Sequence, residues 1–169
     1  RDLKRLLDYS SIENIGIIAM CLGLALLGRA LSRPDWVVLG LGGALLHVWH
    51  HSLFNPLLFF NAGAIMHATH TRQLDHLGGL AKVMPQTAAF FAVGAMAIYA
   101  LPPLNGFASE WLLYVGLFRT LAPGGGAGFP AAAVAAVGLA RIGALALACF
   151  VKLLGAVFLG TARGEAGAP

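Results

Sequence analysis

The sequence has few charged residues and few cysteines. Only 11% of its 169 residues are Asp, Glu, Lys or Arg, whereas 59% are hydrophobic. Soluble domains carry about 25% charged residues, so this composition excludes a soluble fold and predicts an integral membrane protein. Cys21 and Cys149 both lie in apolar runs, which excludes a disulfide framework and a thiolate metal site. A net charge of +4 is too small to indicate nucleic-acid binding and fits a cytoplasmic membrane surface.

The apolar runs predict an all-α integral membrane fold with about four crossings. A transmembrane helix needs about 20 apolar residues to span a hydrocarbon layer of about 30 Å. The predicted crossings are residues 10–31, 36–68, 85–119 and 131–161, and the third is broken at 101–106. The chain begins at Arg1 rather than Met and shows no signal-peptide pattern, so we expect a piece of a longer polypeptide.

Two segments outside the spans lie at the membrane surface in this prediction. Residues 1–9 alternate charge with leucine at helical spacing and suit an interfacial lead-in to the first span. Residues 69–82 are polar and predict a surface loop or a short flat helix. The run 36–68 would measure about 50 Å as one straight helix, so it must tilt, bend or protrude. Pro56 is expected to supply a bend and to free the carbonyl group of Ser52.

Basic residues are distributed unevenly over the two sides that four crossings create. Both termini share one side, and six basic residues fall there against three opposite. The first group is Arg1, Lys4, Arg5, Arg72, Lys82 and Arg163, and the second is Arg29, Arg33 and Arg119. Because cytoplasmic loops carry the excess of Lys and Arg, we predict cytoplasmic termini in a multi-pass protein of the cell inner membrane.

A helix-breaking motif interrupts the third apolar run and contains a carboxylate. The motif is Leu101, Pro102, Pro103, Leu104, Asn105, Gly106, Phe107, Ala108, Ser109, Glu110 and Trp111. Proline lacks an N–H, so the incoming helix should end near Ala100. The outcome is one discontinuous crossing or, alternatively, two shallow re-entrant pieces. Asn105 is predicted to N-cap the second half-helix, which puts Glu110 in or just past its first turn, near the positive end of the helix dipole.

A polar stripe runs along the second crossing. His47, His51 and Asn55 recur every four residues, so they share one helix face, whereas His50 points off it. Histidine titrates near neutrality and can pass a proton between its two nitrogens. The stripe therefore predicts a proton relay, and the alternative is plain hydrogen bonding between helices. For His50 that alternative is favoured.

Three further assignments depend on residue type alone. Zinc or haem at His47 and His51 would need ligands from elsewhere, so no metal and no cofactor are expected. Glu110 lies inside apolar sequence, where an ionisable group indicates function rather than interfacial anchoring. Lys152 lies about two turns inside the last crossing, where it either takes part in the pathway or extends to the cytoplasmic surface.

Five segments resemble the antiporter-like subunits of complex I, Mrp antiporters and membrane-bound hydrogenases. They are residues 10–16, 47–60, 67–69, 77–80 and 101–111. Their amino-acid sequences are most similar to the large membrane subunit of the hydrogenase-4 and formate-hydrogenlyase type. The resemblance implies a fold of about fourteen helices with two inverted repeats, each with a broken helix and a proton half-channel. Residues 1–169 would form part of the second repeat.

The resemblance also implies roles for individual residues. His47 and His51 fall on the central polar helix of the family, Glu110 on the ionisable position beside the break, and Lys152 on a basic position of the next helix. Asn55 stands where the family usually has lysine, and asparagine cannot carry a proton as lysine does. The implied function is proton conduction coupled to a redox module in partner subunits, in a hydrogenase or an NADH:quinone oxidoreductase. The chain itself would be non-catalytic and hold no cofactor.

Two rival functions stay open from the sequence. A membrane scaffold with an inactive pathway is supported by Asn55. An ion-exchange subunit of Mrp type would work without redox partners. Buried carboxylates and water serve both sodium and proton transport, so the residues do not separate them.

Overall fold

The computed structural model describes residues 2–102, 104–122 and 126–161, and the regular elements within them are helices. They are α1 (Leu3–Ala30), α2 (Pro34–Thr69), α3 (Leu80–Val83), α4 (Pro85–Ile98), α5 (Asn105–Leu121) and α6 (Phe129–Phe158), with 3-10 turns at Leu74–His76 and Gly126–Gly128. Three segments are long and apolar enough to cross a membrane: Leu3–Ala30, Pro34–Thr69 and Gly126–Phe158. α4 is a shorter apolar helix. The predicted all-α membrane fold is confirmed. Arg1, Pro103, Arg163 and the side chain of Asn105 lie outside the described part of the chain.

The first helix begins at Leu3 rather than at residue 10, so the expected lead-in is its first two turns. The carboxylate of Asp2 caps this helix by accepting from the N–H groups of Lys4 and Arg5 at 2.9 and 3.3 Å. Leu3 and Leu7 are fully buried. A good cap and two core leucines therefore extend the helix beyond its apolar run.

Small residues bring α1 and α2 into close contact. A Cβ atom at Gly40 would lie 2.6 Å from backbone atoms of Ala25 and Cys21, and one at Gly28 would lie 2.7 Å from the Cβ of Trp36. Glycine lets membrane helices approach closely where lipid supplies no hydrophobic drive. α2 continues through Pro56 to Thr69 as one helix of 36 residues.

The predicted break lies between α4 and α5. α4 ends at Ile98 and α5 begins at Asn105, and Ala100 has a positive φ of 54° between them. The predicted N-cap is wrong by one residue. The N-cap is Leu104, where the extended backbone ends (φ −71°, ψ 162°) and the carbonyl already accepts from the N–H of Phe107 at 3.1 Å. Leu104 makes no side-chain cap bond. Glu110 is therefore the sixth residue of α5, just past its first turn.

Residues of the two predicted basic groups make contacts at two separate places, whereas Arg141 and Lys152 lie within α6. At one place the N–H of Leu3 donates to the carbonyl of Arg72 at 3.0 Å. At the other, Asp35 pairs with Arg33 at 3.4 Å and with Arg119 at 3.9 Å. These contacts are compatible with the two groups expected from the sequence, while the four-crossing topology and the end that faces the cytoplasm stay predictions.

The core consists of two apolar clusters with polar residues between them. The first cluster joins α1 to the ends of α2, α4 and α6; it includes Leu7, Phe54, Phe91 and Phe150. The second lies toward the opposite end and includes Ile17, Ala44, Leu113 and Leu139. In chain order, Asn14, His47 and Ser109 fall between the two clusters on α1, α2 and α5, and all three are buried. We call these three residues the polar layer.

Candidate functional site

The polar layer is centred on the imidazole ring of His47, which is completely buried. Its Nδ1 lies 2.9 Å from the hydroxyl oxygen of Ser109 on α5. Its Nε2 lies 3.0 Å from Oδ1 of Asn14 on α1. Both ring nitrogens are thus hydrogen-bonded, each to a different helix. A buried polar ring requires such partners, because an unpaired one is costly to bury.

Local helix geometry orients both partners of the ring. Asn14 donates through Nδ2 to the carbonyl of Ser10, one turn earlier in α1, at 2.8 Å. The hydroxyl of Ser109 lies 2.9 Å from the carbonyl of Gly106 in the first turn of α5. Short polar side chains commonly bond to carbonyls of the preceding turn in this way. The break between α4 and α5 therefore starts a helix whose second turn presents Ser109 to the ring.

The other polar residues of α2 have mixed environments. His51 and Asn55 are partly buried, whereas His50 is buried more deeply than the stripe pattern suggested. Nδ1 of His50 and Nε2 of His51 are buried and find no hydrogen-bond partner among the described residues. Oδ1 of Asn55 accepts from the hydroxyl of Ser11 at 3.1 Å, which ties α2 to α1.

Glu110 has a second carboxylate nearby. Its side chain is partly buried on α5, and it lies within electrostatic range of Glu13 on α1. Glu13 and Glu110 each stand next to a residue that contacts His47, namely Asn14 and Ser109. The structure therefore places two ionisable carboxylates beside the polar layer.

Lys152 lies apart from this layer, on the exposed part of α6. It lines a cavity of about 450 Å³ near the start of α1, together with Asp2, Arg5, Tyr9 and Cys149. Cys149 lies within electrostatic range of both Lys152 and Glu13. Lys152 is thus exposed on a cavity that Cys149 also lines, apart from the polar layer.

Sequence reasoning missed Asn14, Ser109, Ser11 and Glu13. Each is a polar residue inside an apolar run, and each belongs to a motif that carried the family resemblance, so a signal was present. Their roles depend on which helices touch, and a single sequence does not contain that information. Across the described residues, no three His, Cys, Asp or Glu side chains are grouped closely enough to hold a metal ion.

Long apolar helices, a broken helix and a buried polar layer with two carboxylates next to its members indicate an integral membrane protein of the antiporter-like class. The family model described as NADH:quinone oxidoreductase/Mrp antiporter, transmembrane, matches residues 1–123. The chain belongs to this family, which confirms the resemblance in its sequence.

Three relatives indicate the kinds of complex in which the family occurs. Over 163 residues the chain is 47% identical to hydrogenase-4 component B of Escherichia coli, covering 96% of this chain and 24% of the relative. It is 44% identical over 162 residues to formate hydrogenlyase subunit 3 of the same organism, covering 96% and 27%. It is 42% identical over 116 residues to an NAD(P)H-quinone oxidoreductase chain 4 of Trichodesmium erythraeum, covering 69% and 19%. The chain thus spans about a quarter of the length of its hydrogenase relatives.

Proposed function

We propose that the chain is part of a proton-translocating membrane subunit of a hydrogenase or quinone-oxidoreductase complex. Protons would pass through buried His and Glu side chains, driven by electron transfer in partner subunits. The observation that supports this most strongly is His47, a fully buried ring whose two nitrogens bond to two other apolar helices. An intramembrane ionisable residue is costly, about 2.5 to 3.5 kcal/mol on insertion scales for Asp, Lys and Arg, and it marks proton and ion pathways.

The order of polar groups supports a relay. His47 and His51 are one helical turn apart, and Glu13 and Glu110 flank the partners of His47. The ring nitrogens of His50 and His51 that lack a protein partner in the described residues are positions where a water molecule can hydrogen-bond. We place Lys152 and its cavity at the surface end of this route. Asn55 would contribute hydrogen bonding rather than charge.

The proposal includes partners and location. Other membrane subunits and a peripheral redox module would assemble with the full-length protein, as the names of the hydrogenase and oxidoreductase relatives suggest. The chain would itself hold no cofactor and act as a non-catalytic subunit. We propose the cell inner membrane as its location, with the N-terminus and the end of α6 on the cytoplasmic side.

The test replaces Glu110 by Gln in the full-length protein within its complex. Gln has nearly the same size and hydrogen-bonding capacity but cannot change charge, so complex yield should be retained. Proton uptake into reconstituted vesicles, coupled to the redox reaction, should fall by about tenfold or more, because a positioned proton-transfer group contributes about 10²- to 10⁴-fold.

The matched control is Asp35→Asn, which neutralises a carboxylate at the end of the bundle, where Asp35 pairs with Arg33 and Arg119. This variant should transport protons at the wild-type rate. Unchanged transport in Glu110→Gln would contradict the proposal and favour a scaffold, in which removing a buried charge is harmless or stabilising.

A second candidate is cation/proton exchange of the Mrp type, since the family description includes these antiporters. The same vesicles distinguish the two functions. Proton uptake that needs sodium but no redox substrate indicates exchange, whereas uptake that needs redox turnover without sodium indicates the proposed function.

A further inference from the structure

The Ser109 hydroxyl has two acceptors but a single proton. Its oxygen lies 2.9 Å from Nδ1 of His47 and also 2.9 Å from the carbonyl oxygen of Gly106. A hydroxyl donates one hydrogen bond and accepts two. It can therefore donate to the ring or to the carbonyl, but not to both at once. Which bond forms depends on whether Nδ1 carries a proton.

Asn14 decides which ring nitrogen changes its protonation. The Nδ2 of Asn14 donates to the carbonyl of Ser10 at 2.8 Å, so its Oδ1 must be the atom that faces the ring. An amide oxygen only accepts, and Nε2 of His47 therefore carries a hydrogen. Neutral imidazole has one N–H, so Nδ1 is bare in the neutral ring. The second proton of the ring is consequently bound at Nδ1, the nitrogen that faces Ser109.

We propose that Ser109 is a positioning residue that switches its hydrogen bond as His47 gains and loses a proton. With the ring neutral, the hydroxyl of Ser109 donates to Nδ1. With the ring charged, Nδ1–H donates to the Ser109 oxygen, and the hydroxyl turns to the carbonyl of Gly106. Both ring nitrogens of His47 and the hydroxyl of Ser109 are hydrogen-bonded in both states. The ring can thus accept a proton without leaving a ring nitrogen or the Ser109 hydroxyl unpaired.

This inference rests on the proposed function and adds where the proton is exchanged. The ring binds its second proton at Nδ1, which faces Ser109 on α5, and not at Nε2, which faces α1. Ser109 is the residue before Glu110. Charged and titratable groups around the ring will set the pH at which it loads. They are His50 and His51 on its own helix. On the neighbouring helices, Glu13 and Glu110 adjoin the partners of the ring, and Cys21 on α1 and Tyr114 on α5 lie within electrostatic range of Glu110. α4 contributes no ionisable side chain.

The test compares two hydroxyl deletions on α5 in the full-length protein within its complex. Ser109→Ala removes the switching hydroxyl. Thr120→Val is the matched control, because Thr120 is equally buried and its hydroxyl also bonds to the carbonyl three residues earlier, Leu117, at 2.6 Å. Ser109→Ala favours the helix, so complex yield should be retained in both variants.

Coupled proton uptake in vesicles is then measured across a range of pH. Ser109→Ala should lower the rate at neutral pH by about fivefold or more, as expected from losing one buried hydrogen bond of ordinary strength. It should also move the half-maximum of uptake to lower pH. The charged ring loses the acceptor of its Nδ1–H, and charge-assisted bonds are about twice as strong as neutral ones. Thr120→Val should change neither quantity.

A third variant, His47→Gln, separates this inference from the proposed function. Unchanged transport in His47→Gln overturns the relay through His47 and the switch with it. If His47→Gln abolishes transport while Ser109→Ala behaves like Thr120→Val, the relay stands and the switch is wrong. A fall in rate without a shift of the half-maximum also overturns the switch, because a purely structural role predicts that result.

Discussion

Gly106 occupies the tightest point of the break, and replacing it by alanine should force α4 and α5 apart. A Cβ atom at Gly106 would overlap the carbonyl oxygen of Ala97, and it would lie 3.3 Å from the carbonyl carbon of Ala97 and 3.4 Å from the Cα of Ala100. All three are backbone atoms, so no side-chain rotation can make room. The Ala97 oxygen also accepts from the N–H of Ala100 at 3.3 Å, which fixes its position.

Two opposing effects set the magnitude. Alanine gains up to about 1 kcal/mol of helix propensity over glycine. Overpacking costs about 1 to 3 kcal/mol, and a backbone clash belongs at the upper end of that range. The expected net loss for Gly106→Ala is therefore about 1 to 2 kcal/mol of unfolding free energy, a factor of about 5 to 30 in the folded-to-unfolded ratio. Because the Gly106 carbonyl and Ser109 share one turn, proton transport should fall as well.

The assay is thermal unfolding of the purified complex in detergent, followed by loss of the assembled peak on size-exclusion chromatography. Gly42→Ala is the control, since a Cβ there would meet only Cδ1 of Leu112 at an ordinary 3.8 Å. It should leave the midpoint unchanged or raise it slightly. If Gly106→Ala proves as stable as Gly42→Ala, then the close approach of α4 to α5 described above is wrong.

Two further outcomes are expected. Asn55→Lys should leave coupled proton transport intact or raise it, because lysine adds a titratable group one turn beyond His51, and this gain outweighs the lost hydrogen bond from Ser11. Asn55→Met, of similar length, is the control and should lower transport or leave it unchanged. Transport at background level in an assembled Asn55→Lys variant would contradict the relay. In a Cys149→Ser background, a cysteine that replaces Arg72 should react with impermeant maleimide only from the cytoplasmic side, and one that replaces Ala127 only from outside. Labelling of both positions from the same side would rule out the predicted topology.

The all-α fold with long apolar helices could be predicted because composition and hydropathy determine it. The start of α1 could not, since it depends on the Asp2 cap and on Leu3 and Leu7 packing against neighbouring elements. The break was evident from its prolines, but the exact start of α5 was not, because Leu104 remains extended without any capping side chain. Element type follows local chemistry, and element ends follow tertiary contacts.

The candidate site was visible only in part. A four-residue spacing is enough to align His47, His51 and Asn55, but it does not rank their burial. His47 turned out completely buried, and His50, off the stripe, is more buried than His51. Asn14 and Ser109 come from helices 33 and 62 positions away from His47 in the chain. Only the packing of α1, α2 and α5 brings those side chains to the ring.

The depth of the polar layer has an electrical consequence. At 1.5 Å per residue, His47 lies about 20 Å from the start of α2 and about 33 Å from its end, with an apolar cluster on either side. On the proposed function, a proton held there would have crossed roughly half of the membrane voltage, and a full crossing corresponds to about 2.3 kcal/mol per 100 mV. Half of that value changes the proton occupancy of the ring by about sevenfold per 100 mV. Because Asn14 and Ser109 are neutral, the voltage acts on the proton and not on its partners, so the energised membrane itself would help to set how often His47 is loaded.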